Sequence, residues 1–434
     1  MSIDNTMIDP ADFVINRLGK STHRSPLKGV SFTRDDESVL YHTRYSDIKP
    51  YFEQQLEPPA FQIAGPRERL FFDSEVLKCG IVTCGGLCPG LNDVILAIVL
   101  SLYHHYWVKK ILGFRYGYEG LVPSYYHHPM ELKPFTVGDI HQKGGSLLGS
   151  SRGPQNPKIM VDTLVQLGVG ILFTIGGEGT LRGAEAISHE IERRNLNISV
   201  ISIPKTIDND ISNVDMSFGY ETAVAESRRS TTTAHVEAVG ARNGIGLVKL
   251  MGRESGFIAA AATLANNDVN FCLIPEVDFS LEILLKLIEK RLCQRGHAVI
   301  VVGEGAGQNL FSDNLGEDAS GNRKLGDIGQ LLKSEIKSYF VSRSMDITLK
   351  YIDPSYMIRS TPASAADSAF CLQLGMHAVH AGMTGKTNML VGHWNNQFTH
   401  VPIPMAVNSR RKVEPDGKLW ASVLASTGQP TTLI

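Results

Sequence analysis

From Val76 onward the chain repeats one pattern: a short apolar run ends in glycine or proline and gives way to helical periodicity. The runs are V-L-K-C-G-I-V-T-C, G-V-G-I-L-F-T-I, I-S-V-I-S-I, I-G-L-V-K-L-M, F-C-L-I-P and A-V-I-V-V. Short apolar runs of this kind, followed by helical periodicity, argue for parallel β-α units. Apolar residues at three- and four-residue spacing predict helices over Asn92 to Tyr106, Gly183 to Arg194, Leu281 to Arg291 and Leu325 to Phe340. Strand ends and helix starts then share one edge of a sheet, where unpaired amide N–H groups and helix dipoles favour phosphate. The first 75 residues are polar with scattered prolines and read as an extension that wraps or docks.

The length of 434 residues allows two to three domains, with 43% hydrophobic and 20% charged residues. A formal net charge of -2 gives no global basic field for nucleic acid or an anionic membrane. The N-terminus lacks a signal-peptide pattern and the longest apolar run, Val94 to Tyr103, is too short to span a bilayer, so a cytoplasmic location is expected. Six scattered cysteines, without zinc-type spacing, read as reduced and mostly buried thiols.

Chemistry concentrates in the loops after the runs. Val200 to Ser212, V-I-S-I-P-K-T-I-D-N-D-I-S, places Asp208 and Asp210 beyond a strand end, facing a cleft or solvent. An Asx-type turn whose carboxylates bond backbone amides is the plain structural alternative. Thr83 to Asn92, T-C-G-G-L-C-P-G-L-N, lets the backbone approach an anion at Gly85, Gly86 and Gly90, or serves only tight packing. Gly144 to Gly153, G-G-S-L-L-G-S-S-R-G, delivers Arg152, whose fork of donors suits phosphate. In Ile175 to Gly183, I-G-G-E-G-T-L-R-G, the glycines around Glu178 make room for a polyphosphate and the carboxylate can hold magnesium; Thr180 can also serve as a helix N-cap.

With M-G-R-E-S-G, G-E-G-A-G-Q and Y-I-D-P-S-Y-M-I-R following in order, the set resembles the 6-phosphofructokinase family over about Val76 to Arg411. The resemblance implies an α/β fold of two stacked Rossmann-like lobes with parallel-rich sheets and the active site in the cleft between them. The donor lobe would span 76–219 plus 363–411 and the fructose 6-phosphate lobe 220–362, with a C-terminal tail over 412–434 packed outside. Asp208 would be the base that takes the proton of the sugar 1-hydroxyl, needing only an ordinary carboxylate pKa. Asp210 would support it or the metal, Thr206 would touch the transferring phosphoryl group, and Arg253 would neutralise charge developing there. Gly85, Gly86, Arg152, Gly153, Gly177, Glu178, Gly179 and Thr180 would form the ATP site, with Glu178 on magnesium. Thr206, Ile207, Asp208, Met251, Gly252, Arg253, Glu304, Lys350, Tyr356, Met357, Ile358 and Arg359 would form the sugar-phosphate site, with Arg359 on the 6-phosphate. The arginine that short-chain relatives lend to a neighbour's site has no clean match; Asn243 and Gly244 lie near its place and Lys350 near that of a second.

Two positions bear on the donor. In the family, pyrophosphate users carry aspartate at the place of Gly179 and lysine at that of Lys205, and short-chain ATP users carry glycine at both. This chain joins Gly179 to Lys205, a combination found in a long-chain ATP-dependent branch. Aspartate at Gly179 would meet the α-phosphate of ATP with like charge and bulk, so ATP is the expected donor and pyrophosphate the alternative. A homo-oligomer, tetramer or dimer, is expected, as is an allosteric enzyme whose effector site the sequence does not place. Lipid and NAD kinases share a G-G-D-G-T-like loop but lack the other motifs; a regulatory subunit without activity is disfavoured because Asp208, Arg253 and Arg359 are all present.

Overall fold

The computed structural model describes residues 8–311, 316 and 324–433. Its chain forms two compact units. The first comprises the described residues of Met1–Thr206, Ile211–Gly219 and Pro362–Ser409; the second comprises those of Ile207–Asp210, Tyr220–Thr361 and Arg410–Ile434. The chain therefore changes unit between Thr206 and Ile207, in the middle of T-I-D-N-D, and Arg410 onward belongs to the second unit.

The first unit is built on a nine-stranded sheet. Its order is Ser38–Leu40, Ala60–Ile63, Gln397–Pro402, Met389–Trp394, Ser199–Pro204, Ile171–Gly176, Lys78–Thr83, Lys110–Phe114 and Met130–Glu131. The five strands from Met389–Trp394 to Lys110–Phe114 run parallel, and antiparallel strands close both edges. Every residue of Ile171–Gly176 and of Ser199–Pro204 is buried, so these central strands are covered on both faces. The helix Leu91–Leu100 packs against Ala365–Met383, where Gly375 permits close approach: a Cβ there would stand 2.6 Å from that of Ala97. The predicted helix to Tyr106 ends as a regular α-helix at Leu100 and continues as a wider π turn through His105.

Residues from the N-terminal segment join this unit directly. Ala60–Ile63 pairs with Gln397–Pro402, and Asp35 Oδ1 takes ion pairs from Arg17 at 2.7 Å, Arg67 at 2.9 Å and the fully buried Lys386 at 3.6 Å. Lys386 also donates to Gln62 Oε1 at 2.7 Å. Burial, reinforced by Arg17, brings the Lys386 ammonium down to about 7. Burial alone would raise the Asp35 carboxyl, but Arg17 and Arg67 hold it well below the usual carboxylate range.

The second unit holds a four-stranded, fully parallel sheet in the order Phe271–Leu273, His297–Gly303, Gly244–Leu250 and Thr348–Ile352. Leu284, Leu285, Ile288 and Leu292 of one helix and Ile328, Leu332, Ile336 and Phe340 of another fill its core against Ile300 and Val302. Of the predicted helices here, the first runs on to Arg295 as Leu281–Arg295, and the second starts later than Leu325 and ends later than Phe340, as Ile328–Ser342. Ser280 caps the first through the Ile283 N–H, and Asp327 caps the second. In each unit the motif loops leave the carboxyl ends of adjacent parallel strands: Thr83, Gly176 and Pro204 in one, Leu250, Gly303 and Ile352 in the other.

Candidate active site

The predicted residues divide between the units. In the first, four motifs meet at one edge of the sheet. Gly85, at φ +83°, donates its N–H to Ser151 O at 3.1 Å, and its carbonyl accepts from Ser150 Oγ at 2.5 Å. The Gly86 carbonyl accepts from Lys205 Nζ at 2.8 Å. A Cβ on Gly85 would lie 3.2 Å from Lys205 Nζ, and one on Gly86 3.6 Å from Arg152 Nη2. The glycine pair thus lies between two cations, a cradle suited to a polyphosphate. Gly153, at φ +98°, turns the chain just beyond Arg152.

The third motif opens the helix Glu178–Arg193, with Gly177 at its N-cap. Thr180 is therefore not the cap suggested by its type: it is buried inside the first turn, and its carbonyl accepts from Tyr118 Oη at 2.7 Å. A Cβ at Gly179 would meet nothing within 4 Å, so this face of the first turn is open. Glu178 Oε1 accepts from Arg182 Nε at 3.1 Å and Nη2 at 3.0 Å, and the same guanidinium donates to Val407 O at 2.8 Å. Arg182 follows Glu178 at i+4 spacing, a signal readable from E-G-T-L-R that sequence reasoning passed over. Thr206 O accepts from Ser217 Oγ at 2.5 Å.

In the second unit the structure brings Asp208, Asp210, Arg253, Glu304 and Arg359 within electrostatic reach of one another. Asn209 sits between the aspartates at φ +56°, a left-handed conformation that Asn tolerates better than most residues. The carboxyl of Asp208 is pushed up to about 7, foremost by burial, then by Asp210 and Glu304, with Arg359 and the backbone N–H of Arg253 opposing. This corrects the expectation of an ordinary carboxylate pKa: the residue is half-buried, as a cleft-facing aspartate should be, but it stands beside two other carboxylates. Asp210 is buried, its carbonyl accepts the Arg411 N–H at 2.9 Å, and Arg410 Nη1 stands 3.8 Å from its Oδ2. No spacing rule links residues so far apart in the chain, and sequence reasoning missed these arginines.

Close backbone packing fixes the loops around Asp208. Gly252, at φ +126°, accepts the Gly305 N–H at 3.0 Å, and the Glu304 N–H reaches Leu250 O at 2.9 Å. A Cβ on Gly305 would lie 1.8 Å from Arg253 O, so only glycine lets M-G-R-E-S-G and G-E-G-A-G-Q approach this closely. Arg359, in the last turn of the helix Ser355–Ser360, donates Nε to the buried Met251 Sδ at 3.3 Å. Tyr356 and Met357 are exposed, while the side chains of Ile207 and Ile358 are buried. Packing occupies those two, leaving their backbone for any substrate contact. Lys350 lies on Thr348–Ile352 and pairs with Glu237 at 3.6 Å.

Among the described residues no group of three or more His, Cys, Asp or Glu side chains is arranged for a metal, and no helix is long and apolar enough to cross a membrane. Five of the six cysteines are buried and Cys293 is exposed.

A glycine cradle flanked by cations, and a half-buried aspartate beside arginines at a second sheet edge, are the equipment of a phosphotransferase. The sequence profile of the family described as Phosphofructokinase matches residues 78–382. The chain is 47% identical to an ATP-dependent 6-phosphofructokinase of Borreliella burgdorferi over 438 aligned positions, covering 97% of this chain and 98% of that protein. It is 49% identical to an ATP-dependent 6-phosphofructokinase of Entamoeba histolytica, covering 98% and 92%. Among solved structures, a pyrophosphate-dependent phosphofructokinase from Marinobacter aquaeolei superposes with a TM-score of 0.68 at 18% identity, covering 81% of this chain and 91% of that one. Phosphofructokinase from Pichia pastoris gives 0.62 at 20% identity, over 86% and 41%. The chain belongs to the phosphofructokinase family.

Proposed function

We propose that this chain transfers the γ-phosphoryl group of ATP to the 1-hydroxyl of D-fructose 6-phosphate, giving fructose 1,6-bisphosphate and ADP. The observation that carries the reading is Asp208, whose proton affinity is raised by burial and then by Asp210 and Glu304 and restrained by Arg359. A base whose pKa lies near 7 is matched to accept a hydroxyl proton at neutral pH. As the sugar oxygen bonds to the γ-phosphorus, the bond from that phosphorus to the β,γ-bridging oxygen breaks, the proton passes to Asp208 and ADP departs. Arg253 offsets charge on the transferring group and Arg359 clamps the 6-phosphate. Thr206 contacts the phosphoryl group, and Asp210 supports Asp208.

Gly85, Gly86, Arg152, Gly153 and Gly177 to Thr180 hold the nucleotide. The open face at Gly179 supports ATP over pyrophosphate, because no side chain there opposes an α-phosphate. Related proteins named ATP-dependent at 45 to 49% identity support the same donor. Lys205 stays beside the glycine pair as a cation that either donor could use. Magnesium fits a single carboxylate at a helix start, since this ion usually takes one or two protein carboxylates together with substrate phosphates. Glu178 would hold it after releasing Arg182; when bound, magnesium supplies charge neutralisation on the phosphate oxygens. We place the enzyme in the cytoplasm as a homo-oligomer.

The test is initial-rate phosphorylation of fructose 6-phosphate by the purified chain with magnesium, comparing ATP and pyrophosphate at equal concentration. Turnover with ATP alone is expected. Turnover with pyrophosphate alone refutes the donor assignment, and silence with both refutes the activity.

A further inference from the structure

We infer that Lys249 is a positioning residue for fructose 6-phosphate: it anchors the short helix that carries Arg359. The inference rests on the reading of Arg359 as the 6-phosphate clamp. Lys249 lies near the end of Gly244–Leu250, with its side chain only 13% exposed. Its Nζ stands 2.9 Å from Asp353 Oδ2 and 3.1 Å from Asp327 Oδ1. Burial would lower the amine, but the two carboxylates more than reverse that and keep it charged.

Each aspartate also holds the start of a helix, Asp327 as its N-cap and Asp353 from the residue before the N-cap Pro354. Asp327 Oδ1 accepts the N–H groups of Gly329 and Gln330 at the start of Ile328–Ser342. Asp353 Oδ1 accepts the Ser355 N–H at 3.1 Å and Ser355 Oγ at 2.6 Å, at the start of Ser355–Ser360. One ammonium therefore ties the beginnings of two helices to the end of the strand Gly244–Leu250.

The second tie makes this a matter of substrate binding. Ser355–Ser360 is too short to hold a helical shape by itself, and it buries Ile358 while exposing Tyr356 and Met357. Its orientation depends on its packing against Tyr220–Val239 and on its end contacts. At the start it is held through Asp353 by Lys249; at the end Arg359 Nε rests on Met251 Sδ. Lys249 and Met251 stand two residues apart on one chain segment, so the helix is held at both ends by a single strand terminus. Removing the first tie loosens the start of the helix while the buried Ile358 and the packing on Tyr220–Val239 remain, and small displacements of a binding group are costly.

The test is a kinetic double-mutant cycle on the full-length enzyme, with Lys249→Met, Arg359→Ala and the pair, measuring kcat and the KM for fructose 6-phosphate and for ATP. Lys249→Met keeps the aliphatic stem and should raise the fructose 6-phosphate KM about tenfold, leaving kcat and the ATP KM within about twofold. Lys249→Arg should recover part of the loss. In the Arg359→Ala background Lys249→Met should add little, because the clamp that it orients is gone. Should Lys249→Met not fold, Asp353→Asn removes the charge facing Lys249 while retaining an oxygen for Ser355, and the same KM effect is expected.

An effect of Arg359→Ala with none from Lys249→Met or Asp353→Asn overturns the inference and leaves the phosphate clamp standing. Full additivity of the two losses overturns it as well. No effect from Arg359→Ala refutes the clamp itself, and the inference with it.

Discussion

Asp208→Asn separates a catalytic cost from a structural gain. The amide keeps the shape of the side chain but cannot take the hydroxyl proton, so turnover should fall by roughly a hundredfold or more, as general-base catalysis is usually worth. Stability should move the other way. The native carboxyl sits at about 7 against an ordinary 3.8, so between those pH values the folded state binds a proton that the unfolded chain has lost. Stability contributed by the protonated group is complete below about pH 4 and declines as pH rises toward and through 7. At 1.36 kcal/mol per tenfold change in proton affinity, the ionised carboxylate costs on the order of a few kcal/mol at pH 8, less the screening by solvent at this half-buried site. The asparagine variant escapes that cost. The assay is thermal unfolding of both proteins at pH 4 and pH 8, alongside kcat. The variant should match wild type at the acid end and exceed it at the alkaline end. Wild-type-like turnover refutes the base, and a stability difference that fails to grow with pH refutes the carboxylate-flanked setting.

The same proton affinity should appear in the wild-type pH profile: kcat/KM for fructose 6-phosphate should fall below about pH 7 with an acid limb that Asp208 supplies, and a flat profile down to pH 5 contradicts it. Arg359→Ala removes charge-assisted hydrogen bonds to phosphate worth about 1.5 to 3 kcal/mol, so the fructose 6-phosphate KM should rise roughly 10- to 150-fold; an unchanged value removes the residue from the site. Gly179→Asp should abolish ATP use without loss of melting temperature, because its Cβ meets nothing within 4 Å and an acid in a first helical turn is favourable. A variant that still turns over ATP normally shows that this face does not meet the nucleotide.

The six apolar runs were readable because Val, Ile and Leu dominate them, with Lys78 and Lys249 the charged exceptions, and each became a parallel strand. The helices Tyr220–Val239 and Ala365–Met383 were not. The former buries Thr222, Ala223, Ser227, Thr231, Ala234 and Ala238, small side chains that leave no apolar stripe. The hairpin Met389–Pro402 did carry a signal: Asn395 and Asn396, at φ +48° and +62°, form the tight turn that paired asparagines favour, but the flanking strands lack a clean alternation. The site residues were legible wherever a loop motif holds several of them together, as in G-G-E-G-T. The proton affinity of Asp208 was not, because burial sets most of it and, beyond the neighbouring Asp210, Glu304 and Arg359 act on it from distant parts of the chain.

The pairing of Ala60–Ile63 with Gln397–Pro402 makes the amino-terminal segment a cover for a sheet edge. A chain shortened to begin near Val76 would expose the backbone of Gln397–Pro402 as a template for another molecule's strand, and it would strip Lys386 of both Asp35 and Gln62. Trimming this segment to reach a minimal catalytic fragment would yield self-association and poor recovery from refolding.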